Sequence, residues 1–323
     1  MTLLKVKNLK TYFDTSKGLY KAVDGTSFQL DYGEALGLVG ESGCGKTTCA
    51  LSIAKLLPKE GKIHGGEILI EGTDMVKLSN DKIRKRRWKE VSIIFQGAMN
   101  ALNPVMKVGE QISEAIVLHE GISKKEALKR AGDLFELVEM PSNRIGNYPH
   151  EFSGGMKQRA MIAMALACNP KIVIGDEPTT ALDVMVQAQI LNLLEKLRRE
   201  LKMGLILITH DLSILAETCD KIAVMYAGRI VEIGSVEDIF ERTSHPYTER
   251  LIACFPNIGK EKIIPPSIEG IPPNLLQPIK GCSFQPRCHK AMSVCSLVEP
   301  ESKRLSDKHF AACHLNGEVH HEL

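Results

Sequence analysis

The sequence predicts an α/β fold, in which helices surround a largely parallel sheet, followed by a small cysteine-rich tail. From residue 171 onward, apolar runs alternate with stretches of helical periodicity; the runs are KIVIG (171–175), LILIT (205–209) and IAVMY (222–226). This alternation is typical of a parallel sheet wrapped by helices. Four of the nine cysteines fall in the last 42 residues, beyond a proline-rich segment. The pattern therefore indicates one large α/β domain with an appendage.

The segments before residue 171 complete the predicted domain. Residues up to 75 have the pattern of short strands, with one helix beginning near Thr47. The basic run DKIRKRRWKE (81–90) is typical of a solvated helical face. Helical periodicity then dominates over 107–140 and 154–168. These segments are expected to add strands to the N-terminal part of the domain and helices to its middle.

The composition changes after residue 255. The segment IIPPSIEGIPPNLLQP (263–278) holds five of the 15 prolines, which indicates an extended linker. We therefore predict two domains, residues 1–255 and residues 256–323.

Composition and charge exclude several classes of protein. The chain is 44% hydrophobic and 25% charged, with a net charge of +2, and nothing in this balance indicates a dedicated nucleic-acid binder. The first ten residues lack the apolar core of a signal peptide, and runs such as MIAMALAC (161–168) are too short to span a membrane. We expect a cytoplasmic chain, in which a cysteine cluster favours metal or redox chemistry over disulfides.

A phosphate-binding loop is the first chemical motif. GESGCGKT follows the apolar strand ALGLVG, precedes a helix, and fits the pattern G-x-x-x-x-G-K-[ST]. Its glycines let backbone N–H groups form an anion nest at a helix N-terminus, Lys46 is expected on the β- and γ-phosphates, and the Thr47 hydroxyl on Mg²⁺. The side chain of Cys44 occupies a variable position and is assigned no role of its own. We predict that nucleotide lies along the whole segment Gly40, Glu41, Ser42, Gly43, Cys44, Gly45, Lys46, Thr47 and Thr48.

Two adjacent carboxylates end a buried strand in KIVIGDEP. Asp176 suits a Mg²⁺-binding role, and Glu177 is placed to act as general base on an attacking water. A carboxylate pair after a strand can also be a helix cap. Its position about 130 residues after the phosphate loop favours the catalytic interpretation.

A third motif, EFSGGMKQR (151–159), begins a helix. Ser153, Gly154 and Gly155 would expose backbone N–H groups at its N-terminus, which is a second possible anion site. Serine is equally suited to a simple helix cap, and spacing alone does not choose between the two interpretations.

Together these motifs resemble those of ATP-binding-cassette (ABC) nucleotide-binding subunits. The loop, Gln96 after the strand VSIIF, FSGGMKQR, IVIGDEPTTALD and His210 in LILITHDLS occur in the family's order. The resemblance implies a RecA-like core, an N-terminal antiparallel β subdomain and a helical subdomain. It also implies a head-to-tail dimer of two such subunits. Each ATP would lie between the phosphate loop of one subunit and the signature helix of the other, which is the helix that begins at EFSGGMKQR (151–159).

The resemblance assigns further roles by position. Gln96 would sense the γ-phosphate and Mg²⁺, Asp183 would lie at the dimer seam, and His210 would contact the γ-phosphate. An aromatic residue would stack on adenine, and Phe13 is the best match, with Tyr12 beside it and Tyr20 possible as a flank. The family usually has glutamine where this chain has Met156, and the backbone N–H donors of the segment do not depend on that side chain.

Within the family, the C-terminal part is similar to that of peptide-importer ATPases. SHPYTERLIACFP (244–256), the proline-rich linker and the terminal cysteines carry this likeness. It implies two membrane permeases, a second, paralogous ATPase and an extracellular peptide-binding protein as partners, no nucleic acid, and a place at the cytoplasmic face of the membrane. The alternatives are a nickel-importer ATPase of the same family and a soluble ABC ATPase that acts on nucleic acid or ribosomes.

The terminal cysteines predict a metal site. Cys282, Cys288, Cys295 and Cys313 are separated by 5, 6 and 17 residues, and this spacing alone leaves zinc and an iron–sulfur cluster open. The resemblance favours a [4Fe–4S] cluster; in the zinc alternative, His289, His309 or His314 could replace a cysteine. All motifs for hydrolysis lie before residue 211, so we expect ATPase activity without the cluster.

Overall fold

A computed structural model describes residues 1–97, 101–254 and 267–317. The N-terminal part forms an antiparallel sheet with the strand order β2-β1-β4-β5. These strands are β1 (Thr2–Thr15), β2 (Gly18–Asp31), β4 (Gly61–Ile70) and β5 (Thr73–Asp74). The first two are 14 residues long rather than short as expected, and register shifts between them let the long hairpin twist over the core.

A second, mixed sheet forms the centre of the molecule. Its order is β11-β12-β10-β9-β3-β8-β7-β6, and β9, β3, β8, β7 and β6 run parallel. The strands are β3 (Ala35–Val39), β6 (Val91–Ile94), β7 (Ile172–Asp176), β8 (Gly204–Ile208), β9 (Lys221–Tyr226), β10 (Arg229–Ser235), β11 (Lys303–Arg304) and β12 (Phe310–Ala311). Every residue of β3, β7, β8 and β9 is buried, as their continuous apolar runs predict.

Helices cover this sheet and build a helical region beside it. They are α1 (Lys46–Ile53), α2 (Asn80–Arg86), α3 (Val108–Glu120), α4 (Lys124–Leu137), α5 (Gly154–Ala165), α6 (Val184–Leu201), α7 (Leu212–Thr218), α8 (Val236–Glu241) and α9 (Pro246–Ala253). The helix α4 begins with a capping box between Ser123 and Glu126. In the basic run, Lys82, Arg84 and Lys85 on α2 are exposed, which confirms a solvated face.

The C-terminal extension packs onto the central sheet. Its strand β12 pairs with β10, and Phe284 is fully buried against Tyr226 and Tyr247. The predicted domain boundary at 255/256 and the first prolines of the linker lie outside the described residues, and residues 267–278 contain neither helix nor strand. Across the three described ranges, no helix is both long enough and apolar enough to cross a membrane.

Candidate nucleotide-binding site

The phosphate loop lies between β3 and α1, at the carboxyl edge of the parallel strands, where ligands of such sheets bind. Two glycines allow its tight path. Gly40 and Gly45 have φ values of 153° and 106°. A Cβ atom would lie 2.1 Å from the Met225 carbonyl oxygen at Gly40 and 2.2 Å from the Ala22 carbonyl oxygen at Gly45. No other residue type fits at these positions without moving the backbone.

Lys46 is buried in the mouth of this loop. Its Nζ donates hydrogen bonds to the carbonyl oxygens of Gly40 (2.7 Å) and Glu41 (3.0 Å). The ammonium group therefore already lies against the backbone of the loop, where it can bind phosphate as a point charge.

Separate segments of the chain converge on a cavity of about 440 Å³ in front of the loop. Most of the side chains that the sequence assigns to the chemistry meet here. The lining residues are Tyr20, Ala22, Ser42, Gly43, Gly45, Lys46, Thr47, Thr48, Gln96, Asp176, Glu177, Ile208 and His210.

Glu177 is held on several sides. Its carboxylate accepts hydrogen bonds from Gln96 Nε2 (2.8 Å) and the Thr180 hydroxyl (2.9 Å), and it lies 3.4 Å from Nδ1 of His210. The residue has a φ of 48°, a left-handed conformation that glutamate rarely adopts, and its N–H is bonded to the carbonyl of Ile208 (2.9 Å). The strained backbone places the carboxylate in the cavity rather than along the strand.

Asp176 and Thr47 form the second polar pair. Burial raises the pKa of the Asp176 carboxyl and adjacent Glu177 acts in the same direction, whereas the Thr47 hydroxyl and Lys46 oppose the shift. A carboxylate and a hydroxyl are hard oxygen donors of the kind that Mg²⁺ prefers. The donor set of this pair therefore fits Mg²⁺.

Of the aromatic residues considered for the base, Tyr20 lines the cavity and two others lie elsewhere. Tyr12 is buried, with its hydroxyl bonded to Asp24 and its ring stacked on His64. Phe13 pairs with Tyr20 across the β1–β2 hairpin, and its ring packs against Gly61. Among the residues that line the described cavity, Tyr20 is therefore the aromatic residue available to a base; the structure does not place Tyr12 or Phe13 there.

The signature segment stands apart from this cavity. Ser153 caps α5 and accepts a hydrogen bond from the Met156 N–H (3.4 Å), as the cap interpretation predicts. Asp183 caps α6 through the Val186 N–H (2.9 Å), and Gly155 faces Val186. Ser153, Gly154, Gly155 and Asp183 are absent from the described lining of the cavity in their own chain.

The four terminal cysteines lie near one another. The Cys282 N–H bonds the Cys295 carbonyl (2.8 Å), and burial, reinforced by the other thiols, raises the pKa of Cys282 to about 11. Burial also raises the pKa of Cys288 and Cys313. Within the described part of the chain, however, no three His, Cys, Asp or Glu side chains are arranged to hold a metal ion.

The three histidines considered as zinc ligands have other partners. His309 is paired with buried Glu232 (2.8 Å), and His314 contacts the Val298 carbonyl (2.8 Å). His289 lies between Arg250 and Glu249. These contacts speak against a histidine replacing a cysteine in the arrangement described.

Two contacts to the phosphate loop were not anticipated. The Tyr247 hydroxyl on α9 accepts a hydrogen bond from the Glu41 N–H (3.0 Å), and Arg287 of the extension pairs with the Glu41 carboxylate. Neither residue belongs to a nucleotide motif, and no signal in the sequence marks them as neighbours of the loop.

Comparison with known proteins agrees with the geometry. The ABC transporter family model matches residues 23–180, and the model for the C-terminal region of oligopeptide/dipeptide transporters matches residues 231–295. The chain is 49% identical to the oligopeptide transport ATP-binding protein OppD of Bacillus subtilis, over 95% of this chain and 87% of that protein. A probable peptide ABC transporter ATP-binding protein of Sinorhizobium fredii is 47% identical, over 98% and 96%. The chain belongs to the peptide-transport ATP-binding proteins of the ABC family.

Solved cassettes of the family confirm the predicted fold. The ATP-binding cassette MJ0796, in a dimeric post-hydrolysis state bound to ADP and Pi, is 28% identical with a TM-score of 0.65, over 72% of this chain and 98% of that one. The cassette cbiO1 of Clostridium perfringens is 29% identical with a TM-score of 0.65, over 75% and 92%. These matches confirm the ABC ATPase fold, and the separate cysteine-rich domain at the C-terminus stays a prediction.

Proposed function

We propose that this chain hydrolyses ATP to drive the import of dipeptides or oligopeptides. The observation that carries the proposal is the convergence of Lys46, Thr47, Gln96, Asp176, Glu177 and His210 on one cavity. Relatives at 45–49% identity are named as oligopeptide or dipeptide transport ATP-binding proteins, which supports the peptide cargo.

We propose a task for each group that lines the cavity. The loop N–H groups and Lys46 bind the phosphates, and Tyr20 is placed for the base. Thr47 and Asp176, with Gln96, would hold Mg²⁺, which when bound neutralises phosphate charge. Glu177 orients water and accepts its proton, while Gln96 and Thr180 fix the carboxylate.

A second cassette would complete the site. Ser153 and Asp183 do not line the cavity described in their own chain, and the solved relative MJ0796 is dimeric. His210 has a side chain 76% exposed, which leaves room for an incoming surface. We therefore place a paralogous ATPase across the nucleotide, with two permeases as membrane partners, an extracellular peptide-binding protein upstream and the chain at the cytoplasmic face.

Uptake measurements test the cargo. Deletion of the gene is expected to abolish uptake of radiolabelled dipeptide or oligopeptide and to leave nickel uptake intact. The intact gene restores uptake, whereas a Lys46→Ala copy made at the same level does not. Loss of nickel uptake alone would replace the peptide assignment with the nickel alternative.

We also retain a [4Fe–4S] cluster on Cys282, Cys288, Cys295 and Cys313 as a proposal. Four buried or half-buried thiols near one another are the donor set that such a cluster needs, and small movements of the extension would have to bring them to ligand geometry. Protein purified anaerobically should be brown, with about four irons and four sulfides per chain. A colourless preparation with one zinc per chain would refute the cluster.

A further inference from the structure

Arg287 joins the C-terminal extension to the phosphate loop. It ends the short 3₁₀ turn Gln285–Arg287, and its side chain is only 4% exposed. The Nη1 and Nη2 atoms donate to the two carboxylate oxygens of Glu41, at 2.7 Å and 2.9 Å. This is a bidentate, charge-assisted pair, the arrangement in which arginine and carboxylate interact most strongly.

The remaining N–H groups of Arg287 are also used. Nη1 donates to the Tyr226 hydroxyl (3.2 Å), Nη2 to the Ile268 carbonyl (3.1 Å) and Nε to the Glu269 carbonyl (3.0 Å). A guanidinium has five N–H donors, and here each has an acceptor. Such complete satisfaction of a buried group distinguishes this pair from an incidental surface ion pair.

Glu41 is the second residue of the phosphate loop and is fixed at every polar group. Its carboxylate is held by Arg287, its N–H by the Tyr247 hydroxyl (3.0 Å), and its carbonyl by Nζ of Lys46 (3.0 Å). The loop is otherwise rich in glycine, which loses much conformational freedom when it is ordered. External contacts that order the loop before nucleotide arrives reduce the entropic cost of binding.

We infer that Arg287 is a positioning residue for the phosphate loop, so that the extension sets the nucleotide affinity of the cassette. The inference rests on the proposed function of the cavity, because it concerns the same loop. Arg287 does not touch the nucleotide; it acts through Glu41. The extension is therefore part of the nucleotide-binding machinery, although its sequence carries no nucleotide motif.

Affinity for Mg-ADP, measured by calorimetry on the purified full chain, tests this role without hydrolysis. Arg287→Gln and Glu41→Gln should each weaken binding about tenfold, because each breaks the bidentate pair that holds the phosphate loop in position. The double variant should be no weaker than either single variant, and Arg287→Lys should recover part of the loss. Arg304→Gln is the matched control, since Arg304 lies in the same extension but is 61% exposed.

The outcomes separate positioning from simple stability. A positioning role raises the KM for ATP of the assembled transporter more than it lowers kcat, whereas a purely structural role lowers the melting temperature at unchanged affinity. Unchanged affinity in folded Arg287→Gln, or additive losses in the double variant, would overturn the inference. If Arg287→Gln does not fold, Glu41→Gln and Arg287→Lys decide in its place. Wild-type chain that binds no Mg-ADP would refute the proposed function, and this inference with it.

Discussion

At the scale of single residues, Glu177 is the general base that we propose for hydrolysis. Its backbone is held in a left-handed conformation and its carboxylate is bonded to Gln96 and Thr180. Strain of this kind persists only where surrounding contacts enforce it. The neighbouring Asp176 is buried beside Thr47, so the two adjacent carboxylates have different surroundings, in line with the different tasks that we propose for them.

Replacing Glu177 separates binding from hydrolysis. Glu177→Gln keeps the shape and the hydrogen bonds but removes the base, so kcat of the assembled transporter should fall at least about 100-fold. Binding of Mg-ATP should be retained, which calorimetry on the isolated chain measures. Lys46→Ala is the contrasting variant and should lose nucleotide binding itself. Full turnover in Glu177→Gln would show that another group is the base.

At the scale of elements, the motifs were predictable because each depends on a short segment at the end of a strand. The loop follows β3, Asp176 ends β7, and His210 follows β8, so parallel pairing brings them to one edge. The aromatic platform was less predictable. Tyr20 lines the cavity and Phe13 packs against Gly61; which of them faces the cavity depends on the register of the β1–β2 hairpin, which no local pattern reveals, and the stacking of adenine stays a prediction.

The helix α9 contacts the phosphate loop and carries a buried histidine that should make the folded protein less stable in acid. Its N-cap is His245, whose Nδ1 accepts a hydrogen bond from the N–H of Tyr247 (3.0 Å), the residue that reaches Glu41. Burial lowers the pKa of His245 from 6.5 to about 4. Between these values His245 is protonated in the unfolded chain and neutral in the folded chain. The free energy of unfolding therefore falls as the pH drops from about 6.5 towards 4.

His245→Asn tests this link, because asparagine can cap the helix without titrating. The free energy of unfolding, measured in urea across this pH range, should depend on pH less steeply in the variant. The largest slope that one such group contributes is about 1.4 kcal/mol per pH unit. Identical slopes in the variant and the wild type would show that the acid sensitivity lies elsewhere.

At the scale of the whole molecule, the extension contacts the phosphate loop, and we propose that a second cassette completes the nucleotide site. The order of motifs predicts that ATPase activity survives loss of the cluster, since all motifs for hydrolysis precede residue 211. The contact between Glu41 and Arg287 spans 246 positions and joins the extension to the phosphate loop. A contact so distant in sequence depends on how the tail folds back over β9 and α9, and no local motif encodes it.

The signature helix α5 offers the last test. Ser153 at its N-terminus does not line the described nucleotide cavity of its own chain. Ser153→Asp preserves the cap of α5, since aspartate is as good an N-cap as serine, but it adds a negative charge where the partner's γ-phosphate would lie. Affinity of the isolated chain for Mg-ADP should therefore stay unchanged, while ATPase activity of the assembled transporter falls at least about tenfold. Ser153→Thr keeps the cap without the charge and should remain active. Loss of Mg-ADP binding in the isolated Ser153→Asp chain would place the signature in its own site and refute the head-to-tail arrangement.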